Sequence, residues 1–143
     1  MPGLVLKLAP NERIYINGAL IENGARRATL CLRCPETEIL RERDRIAPRP
    51  GQDALEAACL LAQQALMQRD GRAALLARLH AQFGALLRDP AYRGNARIVT
   101  AAARLAAGSL SGAHWHLLGA CRAPEAHPGP VAEDGGSLRV AQR

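Results

Sequence analysis

Three arginines at alternating positions are the first residues whose spacing suggests chemistry. Arg41, Arg43 and Arg45 alternate with Glu42 and Asp44 in the stretch ILRERDRI. In an extended chain alternate side chains point to the same side, so the three guanidinium groups would lie in line. Three cations in line suit a phosphate backbone. The alternative is a surface strip of arginines that pair with nearby carboxylates, those of Glu36, Glu38 or Glu12.

Two cysteines suggest metal or redox chemistry. Cys31 and Cys34 form a C-x2-C pair, but a structural zinc site needs two further ligands, and no second such pair follows. A thiol redox pair should open a helix after a strand, whereas here Pro35 starts a turn. We therefore expect all four cysteines to be reduced, small apolar side chains, and we expect no metal or other cofactor.

The histidines at 114 and 116 are too close together to ligate a metal from one helix face. We expect Trp115 to anchor the core and His114 and His116 to be exposed on either side of it. No nucleophile motif, phosphate-binding loop, zinc-protease motif or dinucleotide fingerprint occurs. The chain is therefore not expected to be an enzyme.

The net charge of +6 is compatible with an anionic partner such as nucleic acid. An arginine-rich genome would also produce it, because Lys7 is the only lysine among 19 basic residues. Aromatic residues make up 3% of the chain, so base stacking is expected to contribute little. No apolar run resembles a membrane span or a signal peptide, and no contact with a membrane is expected.

Two Asn-Gly pairs, Asn17-Gly18 and Asn23-Gly24, shape the expected fold of the first lobe. Asn-Gly between apolar runs favours a type I′ hairpin, in which both central residues need a positive φ. The pattern therefore predicts an antiparallel meander, and alternating apolar residues add a strand on either side of it. The expected strands are 4–8, 13–16, 19–22, 25–32 and about 38–41.

Helical periodicity begins after the Pro- and Gly-rich segment 48–51. Asp53 and Glu56 form a capping-box pattern, and apolar residues three and four apart follow it. The expected helices run from Asp53 to a stop at 68–71, and over about 72–88, 95–107 and 112–121.

The expected fold is α+β, with a small antiparallel β meander or barrel-like lobe followed by a lobe of three to four helices. The expected boundaries are a β lobe at 1–47, a linker at 48–51, a helical lobe at 52–122 and a disordered tail at 123–143. A β lobe of this size is marginally stable alone, so it should pack on the helices, form a homodimer, or do both.

Residues 4–46 strongly resemble the FlbT family of bacterial flagellum biosynthesis repressors. The resemblance rests on LVLKLAP, NERIYINGALIENGARR and ILRERDRI, and it returns weakly at 120–122. It implies a cytoplasmic, post-transcriptional regulator that associates with the 5′ untranslated leader of flagellin mRNA and lowers its translation or stability. It also implies a link to a small flagellar partner protein, FlaF.

The stretch ILRERDRI is also similar to the closing strand of the carbon storage regulator family, whose members are RNA-binding dimers. That resemblance implies a first strand beside the last one, with Lys7 near Arg41 and Glu42. Cations there would hold phosphates while Glu42 reads a base edge. The candidate RNA-binding residues are basic side chains of the β lobe and one carboxylate: Lys7, Arg26, Arg27, Arg41, Glu42, Arg43 and Arg45.

Two functions remain open at this point. The first is an mRNA-binding repressor of flagellin synthesis. The second is a protein-interaction module of the flagellar pathway that acts through a partner such as FlaF, with indirect effects on RNA. Salt separates them, because phosphate contacts weaken steeply as salt rises.

Overall fold

The chain folds into a β lobe followed by a helical lobe in the computed structural model, which describes residues 3–122. The expected tail at 123–143 lies outside the described residues. The strands are β1 (Leu4–Leu8), β2 (Arg13–Ile16), β3 (Ala19–Glu22), β4 (Ala28–Leu32) and β5 (Ile39–Arg41). The helices are α1 (Ala54–Met67), α2 (Arg72–Arg88), α3 (Ala96–Ala106) and α4 (Leu110–Arg122). The predicted α+β class is therefore confirmed.

The first Asn-Gly pair forms the predicted hairpin between β2 and β3. Asn17 has a φ of 51° and Gly18 a φ of 84°, the positive values that a type I′ turn requires. The turn is also packed, since the Nε of Arg69 donates to the carbonyl oxygen of Asn17 at 2.9 Å. A Cβ on Gly18 would lie 2.9 Å from the Arg69 side chain, so both backbone conformation and space favour glycine here.

The second Asn-Gly pair does not form a hairpin, and this prediction is wrong. Neither Asn23 nor Gly24 has a positive φ. Instead, the amide nitrogen of the Asn23 side chain donates to the carbonyl oxygens of Ala9 and Arg26, each at 2.8 Å. The asparagine thereby ties two loops together, and the chain leaves β3 to pair β4 with β1. The five strands form a two-stranded ribbon β1-β4 and a three-stranded sheet β3-β2-β5, all antiparallel.

The three-stranded sheet is packed on both of its faces. Ile14 is fully buried on the face toward the ribbon, where it meets Leu6 and Leu8 of β1. Tyr15 and Leu40, which are opposite each other on β2 and β5, pack on the helical core from the other face. The small β lobe thus packs on the helices, which is one of the two ways in which it was expected to gain stability.

The helices follow their sequence signals closely. The backbone N–H of Glu56 donates to Asp53 at 2.8 Å and the N–H of Asp53 donates to Glu56 at 3.1 Å, so the capping box is confirmed. The predicted apolar face of α1 is buried throughout, at Leu55, Ala58, Cys59, Ala62 and Leu66.

Specific hydrogen bonds fix the β lobe on the helices. The buried side chain of Gln63 accepts from the backbone N–H of Ile46 at 2.8 Å and donates to its carbonyl oxygen at 2.9 Å. The N–H of Ile39 donates to the Ser111 hydroxyl at 2.8 Å. Among residues 3–122, no helix combines the length and apolar character needed to cross a bilayer.

Candidate nucleic-acid interface

The structure does not place Arg41, Arg43 and Arg45 in one line. β5 ends at Arg41, and Glu42–Asp44 form one turn of 3-10 helix. Successive side chains in such a turn are rotated by about 120°, so the alternation of an extended strand stops at Arg41. The expectation of a strip of three arginines is therefore wrong.

Arg41 lies in the interior of the β lobe. Its side chain is 8% exposed and that of Glu12 is 9% exposed, and the Arg41 Nε lies 2.8 Å from the Glu12 Oε2. The guanidinium group also donates to the carbonyl oxygen of Lys7. Glu12 is one of the carboxylates that the alternative interpretation named as a partner. We call this arrangement the Arg41–Glu12 clamp; it joins β5 to β1 and to the segment before β2.

The clamp keeps Glu12 ionised. Burial acts to raise the pKa of Glu12, but the hydrogen bond from Arg41 and that from the Ala9 N–H lower it, as do the charges of Arg41 and Arg43. The net effect is a pKa below the usual value. Removal of either charge of this buried ion pair would therefore leave the other one buried without compensation.

The arrangement implied by the carbon storage regulator resemblance is not present. β1 pairs with β4, and β5 pairs with β2, so the first strand does not lie beside the last. Only the Arg41 side chain reaches Lys7, through the backbone carbonyl group. Glu42 forms an ion pair with Arg45 at 3.5 Å, and its Oε1 is buried without a hydrogen-bond partner among residues 3–122. Glu42 is therefore turned partly inward.

The outer side of the β1-β4 ribbon brings together three of the cations that are exposed at the surface. Lys7 and Thr29 are opposite each other, as are Val5 and Cys31, and all four side chains are exposed. The intervening leucines of both strands pack inward. Arg27 and Arg33 flank β4 at positions that share its outward alternation, and both are exposed. We call this surface the ribbon face: Val5, Lys7, Arg27, Thr29, Cys31 and Arg33.

Lys7 and Arg27 were candidates from the sequence, and the fold places them close together. Lys7 is opposite Thr29, and Arg27 lies two residues before Thr29 on the same side of the ribbon, so the two cations are diagonal neighbours. Sequence reasoning missed Arg33 as a candidate, although its alternation with Arg27, Thr29 and Cys31 on one face was the signal that could have identified it.

The cations of the ribbon face form no ion pair with any carboxylate in the part of the chain that the structure describes. Within the described residues 3–122, none of the ion pairs involves Lys7, Arg27 or Arg33. The same holds for the exposed residues Arg26 and Arg43. An arginine without a carboxylate partner retains its five donors for an external anion.

Two of the cysteines, Cys31 and Cys34, lie on or beside the ribbon face. Cys31 and Cys34 are exposed free thiols, and no group of three or more candidate ligands forms anywhere in residues 3–122. Cys59 is buried against Cys121 between α1 and α4; the Cys121 thiol and burial both raise the pKa of Cys59.

The expectation for α4 is wrong for Trp115 and His114, and His116 is only partly exposed. Trp115 is 40% exposed, whereas His114 is 4% exposed and lies in the helical core. Burial, and to a lesser extent the charge of Arg122, lowers the pKa of His114 to about 4. The rotation of α4 is set by its contacts with α1 and α3, which bury Ala113, Leu117 and Ala120 with His114.

The fold and site define a small α+β protein with an exposed basic ribbon supported by a helical lobe. The sequence model described as "Flagellar protein FlbT" matches residues 4–124, and the chain belongs to this family. The resemblance noted from the sequence is thereby confirmed, and the protein is a flagellar protein. No curated protein and no solved structure matches the chain.

Proposed function

We propose that this protein is a cytoplasmic post-transcriptional regulator that binds the 5′ untranslated leader of flagellin mRNA through the ribbon face. Binding there would repress translation of the message or promote its degradation. Membership of a flagellar protein family supports the biological setting. The observation that carries the RNA assignment is the set of exposed cations on one side of the β1-β4 ribbon, which form no ion pair within residues 3–122.

The ribbon face offers the groups that single-stranded RNA requires. Lys7, Arg27 and Arg33 would hold phosphates, which position the strand without reading its sequence. The Thr29 hydroxyl can donate to or accept from a base edge or a 2′-hydroxyl group, and Val5 supplies an apolar contact. The arrangement is that of a binding surface, and we propose no catalytic step.

Replacing Lys7, Arg27 and Arg33 together with Gln is expected to reduce affinity for a flagellin leader at least about tenfold at low salt. Each lost phosphate contact lowers the salt slope for single strands by about 0.7, so the slope should fall by about 2. Because all three side chains are exposed, the variant should fold normally. Gel-shift titration at two salt concentrations measures both quantities.

A charge-matched variant controls for the loss of net charge. Arg78, Arg88 and Arg93 are exposed and belong to the helical lobe, so their replacement with Gln removes the same charge elsewhere. That control should keep most of the affinity and the salt slope. Equal losses in the two variants, or equal binding of a scrambled leader at every salt concentration, would contradict a specific ribbon-face site.

A second candidate function, interaction with a protein partner such as FlaF, is favoured by the edge of the three-stranded sheet. β3 is an edge strand, and its Leu20 and Ile21 are 51% and 38% exposed. In a two-residue hairpin Ile16 and Ala19 form a hydrogen-bonded pair, so Leu20 and Glu22 direct their backbone groups away from β2. An extended segment of a partner, or of a second copy in a homodimer, could add here as a strand.

Replacing Leu20 with Lys is expected to abolish binding of FlaF if strand addition occurs at β3, because charged side chains on an edge oppose pairing. Co-purification of the two proteins measures this, and size-exclusion chromatography reports on a homodimer. The control is Val99→Lys, which changes an equally exposed apolar residue on α3. Loss of partner binding in the control as well would argue against the β3 edge.

A further inference from the structure

Two arginine side chains of α3 lie over two glycines of α4. The Nη1 of Arg97 lies so close to Gly119 that a Cβ added to this glycine would be only 2.6 Å from it. At Gly112 a Cβ would lie 3.5 Å from the Cβ and Cγ of Arg104. The two arginine side chains of α3 can therefore lie across the surface of α4.

The indole of Trp115 lies on the α4 surface between these two positions. Trp115 follows Gly112 by three residues and precedes Gly119 by four, and residues at these spacings are neighbours on a helix surface. The ring contacts that of His116 edge-on, with centroids 5.1 Å apart and planes at 89°. This contact orients the indole while leaving 40% of the residue exposed.

The α4 surface around His116 is positive, because the charges of Arg97 and Arg104 both act on this residue. Neither Arg97 nor Arg104 occurs in any ion pair formed within the described part of the chain. Burial first, and then the charges of Arg104 and Arg97, lower the pKa of His116 to about 4, so His116 adds no charge of its own at neutral pH. An exposed aromatic ring on a helix surface that is crossed by two arginine side chains, neither with a carboxylate partner among residues 3–122, is the combination that single-stranded nucleic acid uses for stacking and phosphate contact.

We propose that this surface, formed by Arg97, Arg104, Trp115 and His116, is a second RNA site that holds one unpaired nucleotide. The base stacks on the indole, and the adjoining phosphates contact the two arginines. The site belongs to the helical lobe and shares no residue with the ribbon face; only the choice of RNA as its ligand rests on the proposed function. The protein would then bind its RNA at two sites, through phosphate contacts at the ribbon face and through base stacking at Trp115.

Trp115 is the only tryptophan of the chain, so its fluorescence reports directly on this surface. Titration of the full chain with an eight-nucleotide oligouridine at low salt should quench the fluorescence in a saturable way. Uridine monophosphate, which offers the same base and phosphate without a strand, should bind at least about tenfold more weakly, because it lacks the neighbouring phosphates. Equal affinity for the mononucleotide would assign the site to a free nucleotide, and the absence of quenching would leave the surface without RNA; either result overturns the proposal.

Gly119→Ala tests the geometry without removing any functional group. The new methyl group would displace the guanidinium of Arg97, whose flexible end can move away. Oligonucleotide affinity should fall about threefold or more, whereas the melting temperature should stay the same or rise, because alanine favours a helix more than glycine does. The matched control is Gly84→Ala on α2, where a Cβ would lie 3.3 Å from the Nη1 of Arg88. Undiminished affinity in Gly119→Ala would contradict the placement of Arg97.

Trp115→Leu should lower the affinity for a dye-labelled oligonucleotide at least about fivefold, since a stacked base loses its aromatic partner. The triple ribbon-face variant separates the two proposals. It should lose leader affinity while its Trp115 is still quenched by the oligonucleotide. Leader binding without any quenching in the wild type would overturn the second site alone, whereas quenching without specific leader binding would overturn the proposed function alone.

Discussion

Replacing Arg41 with Ala is expected to lower the free energy of unfolding by about 3–5 kcal/mol. The change leaves the Glu12 carboxylate buried, with its hydrogen bond from the Ala9 N–H but without its guanidinium partner. It also removes the donor to the Lys7 carbonyl group, which links β5 to β1. Urea denaturation at pH 7, followed by circular dichroism, measures the loss.

Arg43→Ala is the matched control, because Arg43 is two positions away but exposed and outside every ion pair of residues 3–122. Its effect on unfolding should stay within about 0.5 kcal/mol. The double change of Arg41→Met with Glu12→Gln should cost less than Arg41→Ala, because it removes the uncompensated charge. An Arg41→Ala protein that is as stable as wild type but binds RNA weakly would show that Arg41 acts at the surface.

The clamp also limits which arginines of ILRERDRI can be changed in a test of RNA contact. A variant in which Arg41, Arg43 and Arg45 are all changed would mix any loss of RNA contacts with the loss of stability that follows from breaking the clamp. Only Arg43 and Arg45 can be exchanged without breaking the clamp. Tests of RNA contact therefore belong on residues that the structure leaves exposed and unpaired.

Lowering the pH from 7 to 5 is expected to destabilise the wild-type protein by about 2 kcal/mol through His114. Its pKa is lowered from the ordinary 6.5 to about 4 in the folded protein, so the unfolded chain takes up the proton first as the pH falls. The stability contributed by the neutral side chain is complete above pH 6.5 and is lost progressively down to about pH 4. His114→Leu, which cannot titrate, should flatten the dependence.

The window between pH 5 and 7 isolates the histidines from the carboxylates. Because the pKa of Glu12 is lowered from 4.5, its contribution is lost only at lower pH. His116 titrates in the same direction as His114, so some slope should remain in His114→Leu. Identical slopes for wild type and His114→Leu would show that His114 is not buried in its neutral form.

Local sequence signals determined the elements themselves. The strand at 4–8, the hairpin at Asn17-Gly18, the capping box at Asp53 and the bounds of α2 all followed from patterns within a few residues of each other. Such features depend on backbone conformation, alternation and helical spacing, which neighbouring residues largely fix. The family could also be identified from these stretches before the fold was known.

The tertiary structure alone decided which elements meet and which charges stay at the surface. Asn23-Gly24 has the same local chemistry as Asn17-Gly18, but its side chain bridges two loops and sends β4 to β1 instead of β3. Arg41 and Lys7 are both basic strand residues, yet a single distant carboxylate, Glu12, makes one of them interior. Strand pairing, and the burial and neutralisation of a charged side chain, depend on residues far away in the sequence. Local periodicity does not identify those residues.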